Sequence, residues 1–219
     1  MQKKRTSIFF ITGAILLLVF LVFTVLIKTV DLAEFPPTRS EIGLSSLNCA
    51  VFEAIGTNDL AYKISEALGL LVLIIPFVFA VLSLVEWIKK KSLKRIDCDL
   101  WILFISYALT LAFYCLFELI VVNYRPILID GSLEASYPSS HTLLAIVIGG
   151  SALLQIIQRL KKKQIKIPLL CLISLLTVAV PLLRLLSGVH WITDIVAAVL
   201  LGGSILCFYH SFVLRFRND

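Results

Sequence analysis

A chain of 219 residues in which 59% are hydrophobic and only 16% charged cannot cover itself with a water-facing surface, and a mean hydropathy of +0.99 makes lipid its solvent. A crossing of a hydrocarbon core about 30 Å thick takes roughly 20 apolar residues, so the length leaves room for about six spans with short connections. The net charge of +6 is carried by short Lys and Arg clusters between apolar runs, not by one basic face, which argues for a topology signal and against a nucleic-acid partner.

The first apolar run, 7–30, follows Lys3, Lys4 and Arg5 as a signal peptide would. It is too long for a signal core and no small-x-small cleavage pattern follows, so it is predicted to be a retained first helix. The next segment holds Pro36 and Pro37, then Ser40, and apolar residues Leu44, Leu47, Val51, Phe52 and Ile55 at near-helical spacing. That pattern predicts a short amphipathic outer helix roofing the bundle, with a partly ordered loop as the alternative. Further spans are predicted at about 68–88, 100–122, 142–157, 167–186 and 191–214. The expected fold is therefore all-α: a polytopic membrane protein, one domain over 1–219, with six transmembrane helices in a compact bundle. Pro76, Pro168 and Pro181 read as helix starts or kinks, and the pairs Gly149–Gly150 and Gly202–Gly203 as close packing contacts.

Charges between the runs alternate in sign. Lys3, Lys4 and Arg5 are followed by Asp31, Glu34, Glu41, Glu53 and Asp59, then by Lys89, Lys90, Lys91, Lys94 and Arg95. Asp130 and Glu134 come next, then Arg159, Lys161, Lys162, Lys163 and Lys166, and finally Arg215 and Arg217. Basic clusters stay on the cytoplasmic side, so both termini are expected there and the segments 31–67, 123–141 and 187–191 outside. The basic runs read as helix ends and lipid headgroup contacts. The short basic loops suggest a bacterial plasma membrane. Cys49, Cys98, Cys115, Cys171 and Cys207 lack metal-ligand spacing and predict no disulfide framework.

Ionisable residues are costly in apolar helices, and here they collect at one face. Arg125 and Pro126 follow the third run, Ser139, Ser140 and His141 open the fourth, Arg184 ends the fifth, and His190 and Asp194 open the sixth. Arginine donates in a planar fork to phosphate oxygens, and a helix N-terminus with small hydroxyl residues favours an anion. His190 and Asp194, four apart, share a helical face, so the carboxylate can hold one ring nitrogen while the other attacks phosphorus. His141 could then protonate the leaving alkoxide. No close carboxylate set is available for magnesium, and the arginines can neutralise developing charge, so no metal or other cofactor is expected. His210 has no partner motif and reads as a packing residue; Tyr137 and Trp191 read as anchors of the bundle at the membrane interface.

At these residues the chain resembles the type 2 phosphatidic acid phosphatase (PAP2) superfamily. That signature runs Lys-x6-Arg-Pro, Pro-Ser-Gly-His and Ser-Arg-x5-His-x3-Asp; here stand Arg125-Pro126, Pro138-Ser139-Ser140-His141 and Arg184-x5-His190-x3-Asp194, within about 118–194. The resemblance implies a phosphohistidine at His190 oriented by Asp194, leaving-group chemistry at His141, and phosphate held by Arg125, Arg184, Ser139 and Ser140. The chain departs from the pattern at three places. Glu118 replaces the family Lys, Ser140 its Gly, and Leu183 its Ser. Glu118 is expected either to pair with Arg125 or another arginine, or to handle protons. The implied function is a metal-independent membrane phosphatase acting on a lipid phosphomonoester or isoprenyl pyrophosphate in the bilayer. A lipid phosphotransferase, and a catalytically weakened relative that binds or transports a phosphorylated lipid, are the alternatives.

Overall fold

The computed structural model describes residues 2–93 and 96–216; Lys94, Arg95 and Arg217 of the basic clusters lie outside the described residues. Among the described residues, six helices are long and apolar enough to cross a membrane. In chain order the elements are α1 (Gln2–Thr29), β1 (Ala33–Phe35), β2 (Ser40–Ile42), α2 (Ser45–Ile55), α3 (Asp59–Lys90), α4 (Cys98–Leu119), α5 (Ser140–Leu144), α6 (Gly150–Arg159), α7 (Lys163–Leu186) and α8 (Ile192–Phe216). A π-helical stretch, Ala145–Gly149, joins α5 to α6, so the fourth span is one continuous helix with a widened middle.

Most helices extend past their apolar runs, because hydrogen bonding continues through flanks that hydropathy does not mark. The difference is largest at α3. Its 32 residues measure about 48 Å, well over the roughly 30 Å of the hydrocarbon core. The helix opens at Asp59, where the Asn58 side chain accepts the Ala61 N–H at 2.9 Å, and so carries Tyr62 and Glu66 ahead of its apolar run. Pro76 lies inside α3, and Pro168 and Pro181 inside α7.

α1 and α8 run antiparallel, tied by the Ser204 hydroxyl donating to the Gly13 carbonyl (2.8 Å) and the Ser211 hydroxyl to the Thr6 carbonyl (2.9 Å). The start of α1 and the end of α8 therefore lie at the same end of the bundle. The glycines allow close approach, as expected: a methyl group on Gly149 would strike Thr177, on Gly150 Leu206, and on Gly202 Ile146. His210 packs edge-on against Phe9, ring centroids 4.4 Å apart. All five cysteines are free thiols.

At the other end, the segment after α1 differs from the sequence expectation in two ways. Pro36 and Pro37 sit in the turn of a small hairpin that pairs Ala33 with Ile42 and Phe35 with Ser40, so the helix starts at Ser45. The helix itself forms, but its inner face is set by Ser45 and Asn48 while Leu47 points outward, 51% exposed. Asn48 explains this. Its amide donates to the Gly43 carbonyl (2.8 Å) and the Thr193 hydroxyl (3.0 Å), and its oxygen accepts from the Thr193 hydroxyl (3.1 Å), clamping α2 over the start of α8. Trp191 and Tyr137 are also unlike interfacial anchors, being 1% and 2% exposed. Trp191 packs against Phe35 and Phe52; Tyr137 stacks on Phe20 and shares a 2.7 Å hydrogen bond with Thr24.

The end where α1 starts and α8 stops is held by a polar network that the reading of headgroup contacts did not anticipate. Arg159 meets Glu86 (3.3 Å), Asp97 (3.2 Å) and Asp99 (2.7 Å) and donates to Gln155 (2.6 Å), and Lys90 meets Glu86 and Asp97, each at 2.9 Å. The acidic partners Glu86, Asp97 and Asp99 sit among the basic clusters and were masked by them. Removing the guanidinium leaves Asp99, which is 6% exposed, with the Gln155 amide (3.1 Å) as its remaining partner. Arg159→Ala is expected to destabilise the chain by about 2 kcal/mol, less than the roughly 3–5 kcal/mol of a fully buried pair because Arg159 keeps 27% of its side-chain surface open. Thermal unfolding in detergent checks this; an unchanged midpoint would mean the network contributes nothing.

Candidate functional site

Three connections meet at the end of the bundle opposite the start of α1 and the end of α8. Between α4 and α5 the chain folds back on itself: the Arg125 N–H donates to the Glu134 carbonyl (3.0 Å), the Ser136 N–H to the Asn123 carbonyl (2.9 Å), and Ile129 and Ser132 exchange backbone bonds. The reversal occurs at Asp130 and Gly131, φ 48° and 77°, a pair of left-handed residues that suits a tight hairpin turn and needs a glycine. This presents Arg125 to the site, with its Nε 3.1 Å from a Glu134 carboxylate oxygen.

The short α7–α8 connection supplies His190. Its Nδ1 lies 3.5 Å from Asp194 Oδ2, and both residues are buried. Asp194 has a second task, accepting the Trp191 N–H at 3.0 Å where α8 begins, as the third residue of a capping box does. The Trp191 indole N–H donates to the Tyr124 carbonyl (2.7 Å), and the Ser139 N–H to the Asp194 carbonyl (3.2 Å). These bonds bring the α4–α5 and α7–α8 connections together. Ser140, Arg125, Glu118 and His190 line one narrow cleft.

Arg184, on the last turn of α7, has no solvent exposure. Its Nη2 is ion-paired with Glu66 of α3, and its guanidinium sits 5.4 Å from the centre of the Tyr62 ring. The same Glu66 oxygen, Oε1, lies 3.5 Å from His141 Nε2. All seven site residues expected from the sequence thus gather at one end of the bundle: His141, His190, Asp194, Arg125, Arg184, Ser139 and Ser140.

Glu118 behaves differently from the pairing expected of it. Among the described residues it forms no ion pair; the arginine counter-ions are Glu134 for Arg125 and Glu66 for Arg184. Glu134 was visible only as one of the acidic charges of its loop. Glu66 was missed altogether, since nothing in the apolar pattern showed that α3 reaches it; its spacing from Tyr62 and Gly69 was the available signal. Burial, followed by the Arg125 and Arg184 charges, holds the His190 imidazole well below the ordinary histidine value. Neutral imidazole is the form with a lone pair to give. Among the described residues, no group of three His, Cys, Asp or Glu side chains is placed to hold a metal ion.

The sequence profile described as the PAP2 superfamily matches residues 99–218, more than half the chain. The chain belongs to the PAP2 superfamily. Arg125, the Pro138–His141 turn, Arg184, His190 and Asp194 fall within the PAP2 match; Glu66 lies outside it. Curated protein sequences give no match. Among solved structures, the first transmembrane PAP2 type phosphatidylglycerolphosphate phosphatase from Bacillus subtilis is similar, with a TM-score of 0.66 over 95% of this chain and 98% of that one. At 15% identity, that likeness speaks for a shared PAP2 fold.

A depressed pKa means that protonation of His190 waits until the pH has dropped beneath the usual midpoint of about 6.5. Histidine NMR of isotopically labelled protein should therefore show the His190 ring still neutral at pH 6. A His190 midpoint at or above 6.5 would contradict the electrostatics described.

Proposed function

We propose that this PAP2 chain, with residues 1–219 working as one membrane domain, is a lipid phosphatase that needs no metal ion and acts through a phosphohistidine at His190. One observation carries the reading. Arg184 Nε and Nη1, His141 Nδ1 and Ser139 Oγ are buried without a hydrogen-bond partner. Native proteins rarely strand such groups, each costing about 1–3 kcal/mol, and unsatisfied donors at the same end of the bundle suit an oxyanion ligand.

The proposed chemistry follows from this arrangement. Arg184, Arg125 and the Ser139–Ser140 turn hold the phosphoryl oxygens and balance charge as it develops. His190 attacks phosphorus through the nitrogen facing away from Asp194, while Asp194 keeps the ring oriented and stabilises the cation that forms. His141 gives a proton to the departing oxygen, then takes one from the water that cleaves the phosphohistidine.

A lipid substrate is supported by an apolar groove of about 700 Å³ walled by α3 and α7 and floored by α6. It begins at Leu68, next to Gly69, which lies against His141, and includes Ala179, one to two turns from Arg184. An apolar tail can lie there with its phosphate at the site. The Bacillus subtilis relative, named as a phosphatidylglycerolphosphate phosphatase, points to the same class. The charge alternation supports a site on the non-cytoplasmic face with both termini in the cytoplasm.

The test is phosphate release by the purified protein in detergent with a chelator present, from phosphatidate and from an isoprenyl pyrophosphate. Release from at least one, lowered about 1,000-fold or more in His190→Ala, is the expected result. No release from any lipid phosphate would favour binding or transport of the lipid instead.

A further inference from the structure

We propose that Glu66 is a positioning residue for the leaving-group step: it ties His141 to Arg184, so that the proton donor and the phosphate-binding guanidinium address the same phosphoryl group. This rests on the reading of the site as a phosphatase. A single carboxylate oxygen, Oε1, faces both His141 Nε2, at 3.5 Å, and Arg184 Nη2. The groups around it are Arg184 from α7 and His141 from α5, with Tyr62 of its own helix beside the same guanidinium. Gly69, one turn further along α3, lies so close to His141 that a methyl group there would come within 2.7 Å of the imidazole Cδ2. α3 thus holds the ring twice, with the Glu66 carboxylate facing Nε2 and Gly69 against Cδ2.

The arrangement parallels His190 and Asp194: each histidine has a carboxylate on one nitrogen. With Glu66 on Nε2, His141 Nδ1 is buried and faces no competing acceptor. As the bond from His190 to phosphorus forms and the ester P–O bond breaks, the electron pair of that bond stays on the departing oxygen, which takes the His141 proton and leaves as an alcohol. Glu66 carries no proton in this step. It balances the imidazolium before transfer and holds the ring in place, and Arg184 keeps two nitrogens, Nε and Nη1, free of protein partners for phosphate.

A leaving group that needs no proton separates this role from a structural one. From phosphatidate the departing group is an alkyl oxygen that needs a proton, whereas p-nitrophenyl phosphate releases a stable aryl oxide. Glu66→Gln, whose amide oxygen can still accept from Arg184, is expected to lower kcat/KM for phosphatidate about 100-fold and to leave kcat/KM for p-nitrophenyl phosphate, which reports phosphohistidine formation and not the shared hydrolysis step, within about threefold. Glu66→Asp should recover part of the loss. Gly69→Ala, which displaces the ring without touching Glu66, should show the same selectivity for the alkyl ester. Equal losses on both substrates, or no loss on phosphatidate, would overturn the assignment. Failure of the phosphatase reading has a different signature: no release by the unaltered protein, or release that survives His190→Ala.

Discussion

A guanidinium without solvent contact inside an apolar bundle has to be neutralised, and the site end of this protein is built around that requirement at Arg184. Its charge is answered from a different span, by Glu66. For that to happen α3 has to rise well beyond the hydrocarbon core, and α7 has to end within reach of α5 and α8. Only one nitrogen of the guanidinium is used by protein, so the electrostatic cost is met while directional donors stay available.

Arg159 at the opposite end shows what an arginine looks like when it serves the fold alone. Each of its nitrogens has an acceptor, among Glu86, Asp97, Asp99 and Gln155, and the spans it touches are pinned together. Two arginines, each at the end of a bundle helix, therefore differ in saturation, and the unsaturated one stands beside two histidines. The supports around the site follow the same economy. Asp194 starts α8 and faces His190, Trp191 fixes the loop that presents Arg125, and Asn48 clamps the residue next to Asp194. Misplacing any of them moves a site group as well as a structural one.

Much of this was legible in the amino-acid order. Six spans follow from apolar runs because lipid leaves the backbone no alternative to helix, and the site residues stand out because ionisable groups are rare in such runs. The parts that escaped share a cause. Hydropathy marks where a helix is in hydrocarbon and says nothing of where its hydrogen bonds stop, so the first turns of α3, and with them Glu66, were invisible. The hairpin at Pro36–Pro37 and the inward turn of Asn48 depend on contacts with Trp191 and Thr193, residues far away in the chain. Glu134 was one of two acidic residues in its loop, and Asp99 was hidden among basic residues; only three-dimensional pairing distinguishes either from a solvated charge. Glu118 was expected to pair with an arginine or to handle protons; among the described residues the counter-ions of Arg125 and Arg184 are Glu134 and Glu66.

On the proposed mechanism, phosphorus is bonded to a nitrogen of His190 during turnover. Rapid quenching with a radiolabelled lipid phosphate, followed by peptide mapping, tests it directly. The account predicts label on the peptide containing His190, stable in alkali and lost in acid, as a phosphoramidate is, and absent from His190→Ala. Turnover of the lipid without label on that peptide at any quench time, or label on a hydroxyl or carboxylate side chain, would contradict it.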